Sequence, residues 1–122
     1  MPLVLVTEDE PALRNAYGEI LLSAGFQPML FENASDSYQA FCDANGAVAL
    51  VITDGEMPGS GGAGLARRIR DLDSNVPIVL ISGVCERYAA AEFRPLFTTM
   101  LEKPVSAKTF REMLGNFFFR FR

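Results

Sequence analysis

Carboxylates, a hydroxyl and a lysine stand at the ends of four short apolar runs that lie far apart along the chain. Glu8 and Asp9 follow the first of these runs, and Asp54 follows a run near the middle of the chain. Ser82 ends the next run, and Lys103 closes the last one. Carboxylates can bind a cation or act as nucleophiles, whereas a lysine and a hydroxyl can bind an anion. Together these residue types can hold a negatively charged group beside a reactive carboxylate.

The chemistry that these residues suggest is phosphoryl transfer assisted by a metal. Glu8, Asp9 and Asp54 would concentrate negative charge that is costly unless a cation neutralises it. The chain contains no histidine, and a purely carboxylate site favours a hard cation, so we expect Mg²⁺, with Mn²⁺ as the alternative. Lys103 adds positive charge and Ser82 adds a hydroxyl donor, which suit a tetrahedral phosphoryl group on Asp54. The Asp54 carboxylate can act as a nucleophile and form an acyl phosphate.

Each of these residues also has an ordinary structural explanation. An aspartate after a strand often caps a turn or a helix, Glu8 can stabilise a helix N-terminus, and Lys103 can be a solvated surface charge. The placement of all of them at strand ends nevertheless favours a common site.

The glycines that follow Asp54 suggest a different ligand. Gly59, Gly61 and Gly64 match the spacing G-x-G-x-x-G, which can cradle a dinucleotide. Here the pattern follows the third apolar run rather than the first, and no suitable acidic residue stands about 20 positions further on. We therefore interpret these glycines, together with Gly62, as a flexible turn into the next helix.

Five short apolar runs predict five strands. The runs at 3–6, 47–52 and 77–81 are continuous, as in strands buried on both faces, and those at 27–31 and 98–102 are weaker, as at the edges of a sheet. Helical spacing is found at positions 11–24, 38–44, 65–72 and 106–121, and a shorter helix is predicted at about 86–93, ending before Pro95. The alternation predicts an α/β fold: a five-stranded parallel sheet, order 2-1-3-4-5, doubly wound with helices on both faces. The carboxyl ends of its strands would share one edge, where the polar residues would meet.

Composition limits the classes of function. The 122 residues suit one domain spanning 1–122, and the net charge of −4 argues against direct binding of nucleic acid. No apolar run approaches the roughly 20 residues of a membrane helix, and no signal peptide is evident, so we expect a cytoplasmic protein without membrane insertion. Cys42 and Cys85 form no C-x-x-C pair, which agrees with a reducing compartment.

Four ordered segments resemble the receiver domain of two-component response regulators. They are "VLVTEDEPALR", "LVITDGEMPGSGGAGL", "PIVLISG" and "LEKP", and the resemblance covers essentially the whole chain. It implies a flavodoxin-like fold and a phosphorelay role, in which a phosphoryl group is transferred to Asp54 and switches protein–protein contacts. It also implies that Ser82 hydrogen-bonds the phosphoryl group and that Lys103 forms an ion pair with it.

The same resemblance implies the metal ligands. Asp9 would coordinate Mg²⁺ directly beside Asp54, Glu8 would do so through water, and Glu56 would contribute its backbone carbonyl. The peptide bond before Pro104 is commonly cis in this family, which makes it a candidate cis bond here.

Three positions bear on switching and on the lifetime of the phosphoryl group. Receiver domains usually carry tyrosine or phenylalanine three residues before the lysine, where it couples phosphorylation to the partner-binding face, and this chain has Met100. Strand packing and a switching role are equally compatible with this methionine. Glu56 and Val84 occupy positions that tune the phosphoryl lifetime in the family, so we expect Glu56 to affect dephosphorylation.

The resemblance also indicates the partners. The donor would be a phospho-histidine on a histidine kinase or a histidine phosphotransfer protein, because this chain has no histidine. Output would pass through the face formed by the fourth predicted helix, the fifth strand and the last helix. The aromatic end "NFFFRFR" suggests a further contact surface, for example for a homodimer. The domain could stand alone or belong to a hybrid sensor kinase.

Two other functions remain open at this stage. A Mg²⁺-dependent phosphohydrolase with an aspartate nucleophile usually has a second aspartate two residues later, where this chain has Glu56. A degenerate receiver would act only as an interaction module, and the complete set of acidic residues, Ser82 and Lys103 argues against it. The preferred function is a signalling domain that catalyses its own phosphorylation and dephosphorylation, rather than an enzyme that acts on other substrates.

Overall fold

The computed structural model describes residues 1–118, which form a parallel sheet with helices on both faces. The strands are β1 (Leu3–Thr7), β2 (Gln27–Phe31), β3 (Val48–Asp54), β4 (Ile78–Ser82) and β5 (Thr99–Glu102). All paired strands are parallel, and the order is β2-β1-β3-β4-β5, so the predicted topology is confirmed. The switch in strand order places β1 beside β3 at the centre of the sheet.

The strand side chains alternate between two apolar layers. In β1, Val4 and Val6 contact a layer that includes Tyr17 and Phe110, whereas Leu5 contacts the layer on the opposite face. Strands β1, β3 and β4 are almost entirely buried, and β2 and β5 are mostly half-buried. The predicted division into central and edge strands is therefore confirmed.

Four α-helices cover the sheet. They are α1 (Pro11–Ser23), α2 (Ala34–Asp43), α3 (Gly61–Leu72) and α4 (Ala107–Phe118). Helix α1 begins at Pro11, whose missing N–H is not needed in a first turn. Helix α2 begins after Asn33, whose side chain accepts a hydrogen bond from the N–H of Asp36 at 2.8 Å. Helices α1 and α4 pack on one face, and α2 and α3 pack on the other.

The prediction of a helix over 86–93 is wrong. The chain instead forms two short 3-10 helices, Cys85–Tyr88 and Arg94–Leu96, with a turn between them. The ring of Tyr88 packs edge to face on Phe93 and Phe97, and this tertiary packing overrides the helix that the local sequence predicts. The guanidinium of Arg70 on α3 donates a 3.1 Å hydrogen bond to the carbonyl that ends the second 3-10 helix, which fixes that end against α3.

The described part of the last helix confirms the helical spacing predicted at positions 106–121. Phe110, Met113 and Leu114 are buried in the core, and Phe117 packs partly against it. The predicted contact surface at the aromatic end concerns the side chains of residues 118–122 and lies outside the described residues.

Candidate functional site

The polar residues singled out by the sequence lie at the carboxyl edge of the sheet. Asp54 ends β3 and Ser82 ends β4, while Glu8 and Lys103 directly follow β1 and β5. These four strands are neighbours in the sheet and run in the same direction, so their ends meet at one edge. The structure thereby brings together residues that are far apart along the chain, with Glu8 and Lys103 separated by 95 positions.

Glu8, Asp9 and Asp54 form an acidic cluster. One carboxylate oxygen from each residue lies within 4.8 Å of the other two. Glu8 and Asp54 are only 1% and 3% exposed, whereas Asp9 is open to solvent. The ammonium of Lys103 lies 3.3 Å from Oε1 of Glu8 and 3.3 Å from Oδ1 of Asp54. One lysine is thus shared between two buried carboxylates.

Burial and the neighbouring charges shift the pKa values of these groups. Burial raises the pKa of Glu8 from 4.5 to about 7, helped by the charge of Asp54 and opposed by a hydrogen bond from the N–H of Glu10. Burial also raises the pKa of Asp54. The hydrogen bond from the N–H of Glu56 and the charge of Lys103 lower this pKa, but burial outweighs them. For Lys103, burial lowers the pKa, but the two carboxylates outweigh it and the net pKa is raised. The pair of carboxylates therefore favours a second cation beside Lys103.

The donors of the acidic cluster fit a hard divalent cation. Oε1 of Glu8 is buried and receives no hydrogen bond from the described residues, although the Lys103 ammonium lies near it. The cluster offers oxygen ligands alone, and the exposure of Asp9 lets water complete an octahedral shell, as Mg²⁺ prefers. The backbone carbonyl of Glu56 stays a predicted ligand.

The hydroxyl of Ser82 is engaged by a neighbouring carboxylate. It donates to Oε2 of Glu56 at 2.6 Å, and the N–H of Gly83 donates to Oε1 at 3.0 Å. The hydroxyl of Tyr88 lies 3.0 Å from the same Oε2 and 3.0 Å from the carbonyl oxygen of Gly55. Partial burial opposes ionisation of Glu56, but the hydrogen bonds from Ser82, Gly83 and Tyr88 outweigh it and lower the pKa. Glu56 is therefore a charged acceptor at neutral pH.

Tyr88 is a residue of the site that the sequence did not predict. Its side chain is 5% exposed, and its ring packs edge to face on Phe93 and Phe97, with centroids 5.7 and 6.1 Å away. The uneven spacing of these three aromatic residues does not follow one helical face, and this is the signal that could have argued against a helix here. The contact with Glu56 itself depends on the tertiary structure.

The other residues predicted to tune the site are placed as follows. Met100 is half-buried in β5 and packs against the apolar layer on the side of α2 and α3. The N–H of Val84 donates to the hydroxyl oxygen of Ser82 at 2.9 Å. The Lys103–Pro104 peptide bond is cis. A role in switching or in phosphoryl lifetime stays a prediction for Met100 and Val84.

The glycines after Asp54 allow the start of α3 to contact the end of β3. A Cβ atom on Gly62 would lie 2.3 Å from the carbonyl oxygen of Asp54, and one on Gly61 would lie 2.9 Å from that of Gly55. The N–H of Gly62 donates to the carbonyl of Gly55 at 3.3 Å. Gly59 and Gly61 have positive φ at the predicted turn into α3, and Gly61 and Gly62 also allow close backbone contact, a role that we did not predict.

Comparison with known proteins decides the family. The model of the response regulator receiver domain matches residues 4–115. The chain belongs to this family. It is 30% identical over 115 residues to the autoinducer 1 sensor kinase/phosphatase LuxN of Vibrio campbellii, covering 94% of this chain and 13% of LuxN. It is 35% identical over 104 residues to the transcriptional regulatory protein FixJ of Bradyrhizobium diazoefficiens, covering 83% of this chain and 49% of FixJ.

A solved structure supports the same assignment. The response regulator TrrA of Thermotoga maritima, in complex with Mg²⁺–BeF, has a TM-score of 0.84 and 26% identity, covering 96% of this chain and 99% of TrrA. The receiver fold and the acidic cluster are consistent with a phosphoacceptor in two-component signalling, a class that interacts with histidine kinases and downstream effectors. The receiver domain spans less than half of LuxN and of FixJ. Within residues 1–118, no helix combines the length and apolar character needed to span a membrane.

Proposed function

We propose that this receiver domain, spanning residues 1–122, accepts a phosphoryl group on Asp54 and thereby switches its protein contacts. The observation that carries the proposal is the buried Asp54 carboxylate, which lies 3.3 Å from the Lys103 ammonium inside an acidic cluster. A positioned carboxylate is a nucleophile toward phosphorus, and the ammonium can stabilise the negative phosphoryl oxygens. The residues needed for both tasks already lie in contact.

In the proposed transfer, a carboxylate oxygen of Asp54 attacks the phosphorus of a phospho-histidine on a partner. The new P–O bond forms as the P–N bond breaks, and the imidazole leaves with the electron pair and takes up a proton. Lys103 and the hydroxyl of Ser82 would stabilise the phosphoryl oxygens. Glu8, Asp9 and Asp54, with the carbonyl of Glu56, would hold the metal. When bound, Mg²⁺, or Mn²⁺ in its place, supplies positive charge beside these oxygens.

The proposed partners follow from the same chemistry. The phospho-histidine must come from another protein, a histidine kinase or a histidine phosphotransfer protein, because this sequence contains no histidine. Output would pass through the surface formed by residues 85–96, β5 and α4, with a homodimer as one form of contact. We place the domain in the cytoplasm, either alone or within a hybrid kinase.

A phosphohydrolase is less well supported by the site. That reaction needs an acid to protonate the leaving group, and Glu56 stands at the position that would supply it. Its carboxylate accepts hydrogen bonds from Ser82, Gly83 and Tyr88, which keep it charged at neutral pH. Catalytic hydrolysis of a phosphate ester would nevertheless support this alternative.

The test of the proposed function is incubation of the full chain with Mg²⁺ and a small acyl phosphate such as acetyl phosphate. We expect intact-mass measurement to show one added phosphoryl group per chain, which hydroxylamine removes because it cleaves acyl phosphates. Chelation of the metal should prevent the modification. Absence of any mass change with both Mg²⁺ and the donor present would contradict the proposal.

The raised pKa of Glu8 predicts that Mg²⁺ binds more tightly as the pH rises. Folding raises this pKa from 4.5 to about 7, so the metal-free protein loses stability as the pH rises through that range. Mg²⁺ competes with the proton on Glu8, and the affinity should increase roughly 20-fold between about pH 5.5 and 7.5. Isothermal titration calorimetry at several pH values measures the dependence.

The control for this prediction is Glu8→Gln, which removes the titrating carboxylate and keeps the size of the side chain. Its Mg²⁺ affinity should be weaker and should depend much less on pH, with a residual dependence from Asp54, whose pKa is also raised. An affinity of the unmodified protein that is constant from about pH 5.5 to 7.5 would exclude control by Glu8.

A further inference from the structure

The carboxylate of Glu56 accepts hydrogen bonds from three donors near the carboxyl edge of the sheet. The hydroxyl of Ser82 and the N–H of Gly83 donate one bond to each of its two oxygens, at 2.6 and 3.0 Å. The hydroxyl of Tyr88 lies 3.0 Å from Oε2. A hydroxyl and an N–H that converge on one carboxylate form a binding place for an anion, which here holds an anion of the chain itself.

The hydrogen on Ser82 cannot serve two anions. A serine hydroxyl has one hydrogen to donate, and this one points to Glu56 while the oxygen accepts the N–H of Val84. A phosphoryl group on Asp54 that takes the Ser82 hydroxyl must therefore displace the Glu56 carboxylate. Repulsion between that carboxylate and the multiply charged phosphoryl group acts in the same direction.

Tyr88 connects Glu56 to the partly exposed segment 85–96. Its hydroxyl is shared between Glu56 and the carbonyl oxygen of Gly55, at 3.0 Å from each. Its ring is buried against Phe93, which lies within this segment, and against Phe97, which directly follows it. Loss of the Glu56 contact would change the hydrogen bonding of a side chain that supports this surface.

We propose that Glu56 is an internal competitor for the phosphoryl-binding donors, and that its displacement from Ser82 and Gly83 releases Tyr88 and so carries the state of Asp54 to residues 85–96. This inference rests on the proposed function of Asp54 and adds to it the means by which the site is restrained and read out. Glu56 is exposed to solvent, so its side chain has room to leave. Lys103 pairs with Glu8 and Asp54 rather than with Glu56, and its contacts need not be broken.

The first test measures binding of beryllofluoride, a tetrahedral analogue of the phosphoryl group, in the presence of Mg²⁺. Glu56→Ala removes the competitor and should tighten binding of the analogue by about tenfold or more, because a charge-assisted hydrogen bond no longer has to be broken. Glu56→Gln keeps one oxygen acceptor but places an uncharged amide beside the N–H of Gly83. Its affinity for beryllofluoride should therefore lie between those of the unmodified protein and Glu56→Ala. The matched control is Glu86→Ala, which removes an exposed carboxylate of the neighbouring 3-10 helix and should leave the affinity unchanged.

The second test follows Tyr88 by ¹⁹F NMR of protein labelled with fluorotyrosine, with Tyr88→Phe used to assign the signal. In the unmodified protein the Tyr88 signal should shift when Mg²⁺ and beryllofluoride bind. In Glu56→Ala the signal should already lie near the shifted position before the analogue is added. If Glu56 had a purely structural role, the Tyr88 signal of Glu56→Ala would not coincide with that of the unmodified protein bound to beryllofluoride.

Two results would overturn the inference while leaving the proposed function intact. One is equal beryllofluoride affinity, within about twofold, for the unphosphorylated forms of the unmodified protein and Glu56→Ala, when a separate assay shows that acetyl phosphate phosphorylates both chains. The other is tighter binding by Glu56→Ala with a Tyr88 signal that neither the mutation nor the analogue moves. If no variant binds the analogue and the unmodified protein takes up no phosphoryl group, the proposed function fails and this inference fails with it.

Discussion

Asp54→Asn is expected to abolish phosphorylation by a small acyl phosphate. The asparagine side chain has the same shape and can still accept the N–H of Glu56, which donates to Oδ1 of Asp54 at 3.1 Å. Its amide oxygen is a poor nucleophile, so the mass increase should fall at least about 100-fold, to the background of the assay. The protein should remain folded, because the substitution removes one of two buried carboxylates that share a single lysine. Intact-mass measurement and urea unfolding test both expectations.

The control for Asp54→Asn is Glu19→Gln, which makes the same change in net charge on the exposed side of α1. It should be phosphorylated as the unmodified protein is, which separates loss of the nucleophile from a change in overall charge. Labelling of Asp54→Asn to the same stoichiometry as the unmodified protein would show that the phosphoryl group is carried elsewhere.

Gly62→Ala is expected to destabilise the fold and to disturb the phosphoacceptor. The added Cβ would lie 2.3 Å from the carbonyl oxygen of Asp54 and 3.1 Å from the Cα of Gly55. Both are backbone atoms at the end of a central strand, so neither can rotate away as a side chain could. Either α3 or the end of β3 must move, and we expect a loss of about 3 kcal/mol in the free energy of unfolding. The same displacement should reduce the rate of phosphorylation of Asp54.

Gly115→Ala is the matched control for Gly62→Ala. Gly115 lies within α4, and a Cβ at this position would have no heavy atom within 4 Å beyond its own helix and chain neighbours. Because alanine favours helix more than glycine does, this variant should be as stable as the unmodified protein or more stable by up to about 1 kcal/mol. Urea unfolding compares the two variants, and equal stability of Gly62→Ala and Gly115→Ala would refute the close contact.

The same position, Glu56, supports two expectations that are measured differently. As a residue that tunes phosphoryl lifetime, it should change the rate at which the aspartyl phosphate decays. Because its carboxylate accepts the hydrogen bonds of Ser82 and Gly83, it should also change the affinity for beryllofluoride. This affinity does not depend on any rate of hydrolysis. Measuring both in Glu56→Ala separates hydrolysis chemistry from competition for binding.

The sequence by itself determined the sheet and most of the candidate site. Continuous apolar runs predicted the central strands, because strands buried on both faces of a parallel sheet are apolar along nearly their whole length. Parallel strands bring their carboxyl ends to one edge, so the topology alone placed Glu8, Asp54, Ser82 and Lys103 together. These conclusions needed only local patterns and one rule of topology.

Only the tertiary structure decided what the side chains at that edge contact. The segment with Tyr88, Phe93 and Phe97 is apolar enough for a helix, but its rings are buried against α3 and the sheet, and the chain forms two 3-10 helices instead. The Tyr88 hydroxyl thereby reaches Glu56, which is 32 positions away. Such a contact depends on distances between elements that no local pattern specifies. The clash between an added Cβ on Gly62 and the backbone of Asp54 could not be predicted from the sequence either. The distance between α3 and β3 is set by packing.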